Sequence, residues 1–364
     1  MKRITLSVVG IAALGLLFAA PKEPVKPPDT SASVQRGLQW LVSVQGRDGG
    51  WGQDGGETSH VRQGERLESQ GNDVANTAVA LMALTHNGNT VDKGPYFMNV
   101  RRGVEFILGH IERAPNEGLA VTNVTNTQIQ RKLGPFIDTF FSSMLLSELD
   151  GHISDPKLNT RVRAGLQKTV NKIQANQLKD GSWNISGGWA PILGTSIASR
   201  SLANAKAKGV KVDEVVMSRV DRYTKDNAQA AISGGGGDAR GMVAAASPVA
   251  LYQGAQVLEQ LSRTEADRKK NEGEIRQLKE KLADASYVRG FGSMGGEEFF
   301  SYLNISDSLK RTGGAEWERW NSNIKTSLVN MQNNDGTWAG HHCITGRVAV
   351  TSAAILTMVS DKKI

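Results

Sequence analysis

Three heptamers, Gln45-x-x-Asp48-Gly49-Gly50-Trp51, Gln177-x-x-Asp180-Gly181-Ser182-Trp183 and Gln332-x-x-Asp335-Gly336-Thr337-Trp338, repeat one pattern at distant points of the chain. Self-similarity of this kind dictates architecture before any residue is given a task. Each copy follows an amphipathic stretch and precedes one rich in Ala, Leu and Met, so each reads as a helix end, a tight turn and a new helix. Asp-Gly supplies the turn, because glycine accepts backbone angles that other residues resist. The Trp ring is expected to cover the joint. The Gln amide is expected to bond loop backbone that would otherwise go unpaired.

Apolar periodicity and Gly/Pro punctuation define twelve helical segments of two alternating kinds. One kind is amphipathic: about 33–45, 98–114, 157–177, 213–228, 255–284 and 315–332. The other is rich in Ala, Leu, Met and Ser: about 73–87, 137–149, 192–206, 242–254, 297–310 and 346–359. A one-faced helix lies outside a bundle, and a helix that is apolar or small all round lies inside one. Six outer helices alternating with six inner ones predict an all-α fold, an (α/α)6 toroid spanning residues 33–360. Within it the charged stretch 259–284 is expected to be a long, solvated outer helix projecting from the ring, although Gly273 weakens it.

The N-terminus carries Lys2 and Arg3 before an apolar run from Ile4 to Ala20, which reads as a signal peptide or an uncleaved anchor over residues 1–20. Residues 21–32 form a Pro-rich spacer. An exported protein is therefore expected, whether periplasmic, secreted or membrane-anchored. Cys343 is the one cysteine, so no intrachain disulfide framework exists. The net charge of +7 is scattered rather than gathered in a stripe, and no nucleic-acid module is present, which argues against a nucleic-acid partner.

The Gln-x-x-x-Gly-x-Trp core of the heptamers resembles the repeat of squalene–hopene cyclases. The alternating helices resemble the wider superfamily of terpenoid cyclases, protein prenyltransferase β-subunits and thioester domains. The tail from Asp335 through Thr337-Trp338-Ala339-Gly340-His341-His342-Cys343 to Arg347 is similar to exported bacterial proteins described as prenyltransferase/squalene-oxidase repeat proteins. The resemblance implies the toroid and an apolar or isoprenoid-like ligand. Its known chemistries do not carry over residue by residue. The Asp-x-Asp-Asp acid of the cyclases, the Asp-x-Cys zinc pair of the transferases and the Cys-Gly-Glu-Gln thioester are all missing from this sequence.

Loops entering the inner helices should gather at one mouth, where helix N-termini offer unpaired N–H groups. The residues there are Asp73, Asp138, Trp189, Arg240, Glu297, Glu298, His341, His342, Cys343 and Arg347. His341, His342 and Cys343 suit a zinc ion, with Asp138 or Glu297 completing the site from across the mouth. The bland alternative is a capping His, a His paired with a carboxylate and a packed thiol. Glu297, Asp138 and His342 are the candidate catalytic groups, since a carboxylate facing an apolar interior has a raised pKa. The alternative reading makes Glu297 and Glu298 first-turn acids favoured by the helix dipole. Asp73, Trp189, Arg240, Glu298 and Arg347 are candidate ligand contacts, with Arg347 binding an acidic group or pairing with Asp138 or Glu297. Two functions follow. One is a repeat protein that binds a small molecule or a protein partner at the barrel mouth. The other is an enzyme using the His/Cys/carboxylate group on an isoprenoid-like substrate, or, further afield, a carbohydrate-active lyase or hydrolase.

Overall fold

In a computed structural model, the described residues are 27–53, 61–62, 65–66, 71–185, 191–232, 248–282, 295–341 and 344–362. The leader and most of the spacer lie outside them. Among the described residues no helix is long and apolar enough to cross a membrane.

The described residues are all-α apart from one two-residue antiparallel ribbon, Val61–Arg62 with Glu65–Arg66. Their fourteen helices are α1 (Ser31–Ser43), α2 (Val74–Thr85), α3 (Phe97–Arg113), α4 (Gln128–Leu133), α5 (Ile137–Leu149), α6 (Pro156–Ala175), α7 (Pro191–Ala207), α8 (Glu214–Ile232), α9 (Pro248–Leu261), α10 (Glu265–Lys270), α11 (Glu272–Leu282), α12 (Gly296–Thr312), α13 (Ala315–Met331) and α14 (Arg347–Val359). The two helix types separate as composition predicts. Every residue of α2 from Val74 to Leu84 is buried, as is every residue of α14 from Val348 to Val359. Helix α1 buries only Ser33, Val34, Gly37, Leu38 and Leu41, a single face.

The inner helices pack in a closed order. Helix α2 lies on α5, α5 on α7, α7 on α9, α9 on α12, α12 on α14, and α14 on α2 again. Around them, α1, α3, α6, α8, α11 and α13 each cover one or two inner neighbours. The charged stretch 259–284 departs from expectation. It is not one projecting helix: α9 runs on to Leu261, and Thr264 then starts a new helix through a capping box with Asp267. Ile275, Leu278 and Leu282 of α11 are buried, with the helix laid on α9. Lys279 reaches Glu316 of α13 at 3.0 Å, so this outer position is occupied in the same way as the others.

The heptamers are the seams. Each indole N–H donates to a carbonyl near the end of the preceding outer helix: Trp51 to Leu41, Trp183 to Ile173 and Trp338 to Leu328, all at 2.7 Å. Each Trp backbone N–H donates to a threonine hydroxyl of the following inner helix, Thr77, Thr195 or Thr351. Each Gln amide donates to the carbonyl of its own turn glycine and to one early in the next outer helix: Asn99, Val216 or Ser33. The turn glycines have φ of +91°, +94° and +88°, which only glycine adopts freely. The third seam joins the end of the chain to its beginning, because Gln332 bonds Ser33 and Gly336 lies against the carbonyl of Arg36.

Candidate functional site

Among the described residues, the entries to α2, α5 and α14 are tied together into a hydrogen-bonded cap. Gln128, at the start of α4, donates its side-chain amide to Thr345 and accepts from the backbone N–H groups of Thr345 and Gly346. Its own backbone N–H donates to Gln53 at 2.9 Å. Beneath this cap lie two carboxylates brought together from the first and second inner helices. Asp73 is the N-cap of α2 and accepts from the backbone and side chain of Asn76, each at 2.8 Å. Asp138 accepts from the backbone N–H of Ala75 at 3.0 Å and from Gln130 at 2.7 Å. Both are fully buried, and burial drives both pKa values up. Asp73 rises to about 7, pushed further by the charge of Asp138, while Asp138 rises to about 6 against the pull of its hydrogen bonds.

This pair has a stability consequence. With folded pKa values above the ordinary 3.8, the folded chain holds protons that the unfolded chain has already lost. The stability they contribute is complete below about pH 4 and is lost as pH rises through about 6 and 7. Asp138→Asn is expected to flatten the fall in melting temperature between pH 5 and pH 8, by an amount on the order of 2 kcal/mol. Thermal unfolding at the two pH values checks it, and identical slopes in both proteins would refute it.

Glu297 and Glu298 begin α12, and both are buried. Glu298 accepts from the backbone N–H of Gly295 and from Tyr302, a first-turn acid serving its own helix. Both Glu297 oxygens are buried without a hydrogen-bond partner. The backbone of Gly296 presses against Ile344 and Gly340, so the start of α12 and the loop before α14 lie together. The zinc site does not follow from what is described. His341 is exposed, no group of three His, Cys, Asp or Glu among the described residues could hold a metal, and His342 and Cys343 lie outside those residues. Trp189 and Arg240 also lie outside them. The pairing expected for Arg347 is corrected. The carboxylate it meets is Asp335 of the third heptamer, at 3.0 Å, and its guanidinium lies 5.1 Å over the Trp40 ring. At the first residue of α14, it lies along the seam beside Trp40 instead of across the ring.

A pocket of about 640 Å³ lies at this end against Leu119, Val121, Phe136 and Ile185, and a second space lies between the inner helices themselves. A cavity of about 490 Å³ is walled by five inner helices: α2, α5, α7, α12 and α14. Its lining is layered, because residues three or four apart share a helix face. The floor is apolar: Val79, Met82, Phe141, Met144, Phe300 and Leu356. Phe141 and Phe300 stack at 5.9 Å. One to two turns further along come His86, Glu148, Arg200, Asp307 and Lys310. His86 meets Glu148 at 3.0 Å, and Arg200 is hydrogen-bonded to Asp307. Burial pulls the His86 pKa down, but the hydrogen bond and charge of Glu148 outweigh it and the net shift is upward. Glu148 and Asn204 also line a neighbouring pocket of about 610 Å³ that includes Thr90, Lys93, His152 and Lys208, so the axial space adjoins the surface there. The sequence argument looked to helix N-termini and missed this set. The signal was present: charged residues at 86, 148, 200 and 307 interrupt segments otherwise made of Ala, Leu, Met and Ser.

The squalene–hopene cyclase C-terminal domain model matches residues 17–128. No curated protein matches the chain. Among solved structures, the apo type II terpene cyclase MstE from Scytonema is similar over 90% of this chain and 97% of its own, with a TM-score of 0.50 and 12% identity. Two MstE variants are similar over 91% of this chain and 96% of theirs. One is bound to merosterolic acid A, its product, with 10% identity and a TM-score of 0.38. The other is bound to geranylgeranyl dihydroxybenzoate, its substrate, with 11% identity and a TM-score of 0.32. The fold of this chain is terpene-cyclase-like.

Proposed function

We propose that this chain is an exported six-pair α/α toroid that binds a hydrocarbon-rich, isoprenoid-like small molecule in its axial cavity. The observation that carries the reading is the apolar floor formed by Val79, Met82, Phe141, Met144, Phe300 and Leu356. At about 490 Å³ the space falls within the ~300–1,000 Å³ usual for small-molecule sites. A sugar site would need a polar floor with carboxylates placed along it, and here the carboxylates stand only at the rim. The cyclase-like fold and the apolar leader Ile4 to Ala20 support the ligand class and the export.

Binding is favoured over cyclisation by the lining itself. A cavity that steers carbocations needs π faces on many sides, and here Phe141 and Phe300 are the aromatic members. Glu148 and Asp307 would instead trap a cation. The enzyme reading keeps one supporting observation, the raised pKa values of Asp73 and Asp138. A carboxyl group that holds its proton near neutral pH can donate it, yet both carboxyls are turned to Ala75, Asn76 and Gln130 beneath the cap.

Met144→Trp should fill the floor while leaving the fold intact, because the added volume enters empty space. Calorimetric titration with farnesol is expected to show binding to the native chain and at least tenfold weaker binding to the variant. Equal affinities would refute the cavity reading. Conversion of farnesol or a longer prenyl alcohol to a cyclised product, lost in Asp138→Asn, would establish the enzyme in its place.

A further inference from the structure

The rim of the axial cavity is lined by Arg200, Lys310, Lys362 and His86 against Glu148 and Asp307, and the buried carboxylate of Glu259 also acts on Arg200. The Arg200 side chain is only 20% exposed. A guanidinium carries five N–H donors, and among the described residues the one hydrogen bond of Arg200 goes to Asp307. The other N–H groups of this cavity-lining residue have no hydrogen-bond acceptor among the described residues.

The layering gives such an acceptor a position. Along α12 the lining runs Phe300, Leu303, Asp307, Lys310, and along α5 it runs Phe141, Met144, Glu148. Both helices change from apolar to charged over the same two turns. A ligand with its chain on the floor would therefore place its head at the level of Arg200 and Asp307. His86, Glu148, Arg200 and Asp307 act on one another electrostatically, so the head would enter a single charged cluster. Lys310 already donates to the carbonyls of Ser360 and Lys362, which fixes it as a nearby positive charge. Lys362 is exposed at the opening.

We infer that the cavity is built for an amphiphile whose anionic head, a carboxylate, is held by the free donors of Arg200 while its hydrocarbon chain lies toward Phe141 and Phe300. This rests on the cavity reading and deepens it by naming the polar end of the ligand. Guanidinium and carboxylate pair in a planar, two-bond geometry that a neutral alcohol cannot supply.

The test uses two ligands with one chain, farnesoic acid and farnesol, titrated calorimetrically into the full protein at pH 7.5. The acid is expected to bind at least tenfold more tightly than the alcohol. Arg200→Gln should bring the two within about twofold by weakening the acid alone, with farnesol affinity unchanged. Should Arg200→Gln not fold, Asp307→Asn keeps the guanidinium and releases it from its carboxylate, and the acid-to-alcohol preference should then rise. Equal affinity of the native protein for acid and alcohol would overturn the head-group assignment and leave the cavity reading standing. Binding of neither compound would overturn the cavity reading itself.

Discussion

Trp338→Ala is expected to lower the stability of the protein by about 3–5 kcal/mol, the cost of deleting a fully buried large aromatic side chain. The ring is wholly buried. Its removal leaves three things undone. The carbonyl of Leu328 loses its donor at the end of α13. Ile355 and Gly37, which approach each other beside the ring, lose a shared neighbour: a Cβ added at Gly37 would lie 2.9 Å from Ile355 and 3.1 Å from Trp338. The joint where the last helix pair meets the first is opened. Trp51→Ala and Trp183→Ala should fall in the same range, because their indole bonds are matched. Trp40→Ala, with its ring only half-buried, should cost clearly less. Urea unfolding of the four variants checks the order. Unfolding midpoints for the three heptamer variants that match the native chain would show that the indoles are not joints.

Gly181→Val is expected to cost about 3 kcal/mol or more, through two separate penalties. Its φ of +94° is a backbone conformation that a β-branched residue resists, at a cost of about 1–3 kcal/mol. A side chain there would also run into the carbonyl of Arg219 in α8, a backbone atom that cannot step aside without moving the helix. Gly151, with φ of +82° and nothing within 4 Å of an added Cβ, isolates the first penalty. Gly151→Val should therefore destabilise measurably less than Gly181→Val. Equal losses in urea unfolding would mean that the close approach to α8 contributes nothing.

The seams were legible because their parts lie close together in the chain. Asp48 and Gly50, Asp180 and Ser182, Asp335 and Thr337 are two residues apart, and each turn closes on its own hydrogen bonds. The partners from the next outer helix were not legible. Arg102 donates to the carbonyl oxygen of Gln45, and Arg36 to that of Gln332, across 57 and 296 positions. In the middle copy the oxygen of Gln177 has no partner. Arg36, Arg102 and Arg219 occupy matching places beside the three turn glycines, a second-order repeat that shows only once the helices are paired.

The helix N-termini, where the sequence places the candidate groups, are partly covered for a physical reason. Helix N-termini attract attention because their N–H groups are unpaired, but Asp73, Asp138, Gln128 and Gln130 satisfy or cover those groups here. Arg347 was expected at the mouth, on an acidic ligand group or on Asp138 or Glu297, whereas the carboxylate it meets, Asp335, lies only twelve residues earlier. The charged rim escaped because 86, 148, 200 and 307 are far apart in sequence and each looks like an ordinary polar helix residue. Their common feature is depth along parallel helices, which emerges only when five of them stand side by side.

The bonds from Gln332 to Ser33 and the contact of Gly336 with Arg36 make the order of helices cyclic. Where such a chain starts is then a matter of history rather than architecture. Joining residue 362 to residue 27 through a short flexible linker and opening the chain at the exposed turn around Gly151 would yield a permuted polypeptide with every seam intact. Unpermuted, the first helix of the ring must wait for the last before its inner face is covered.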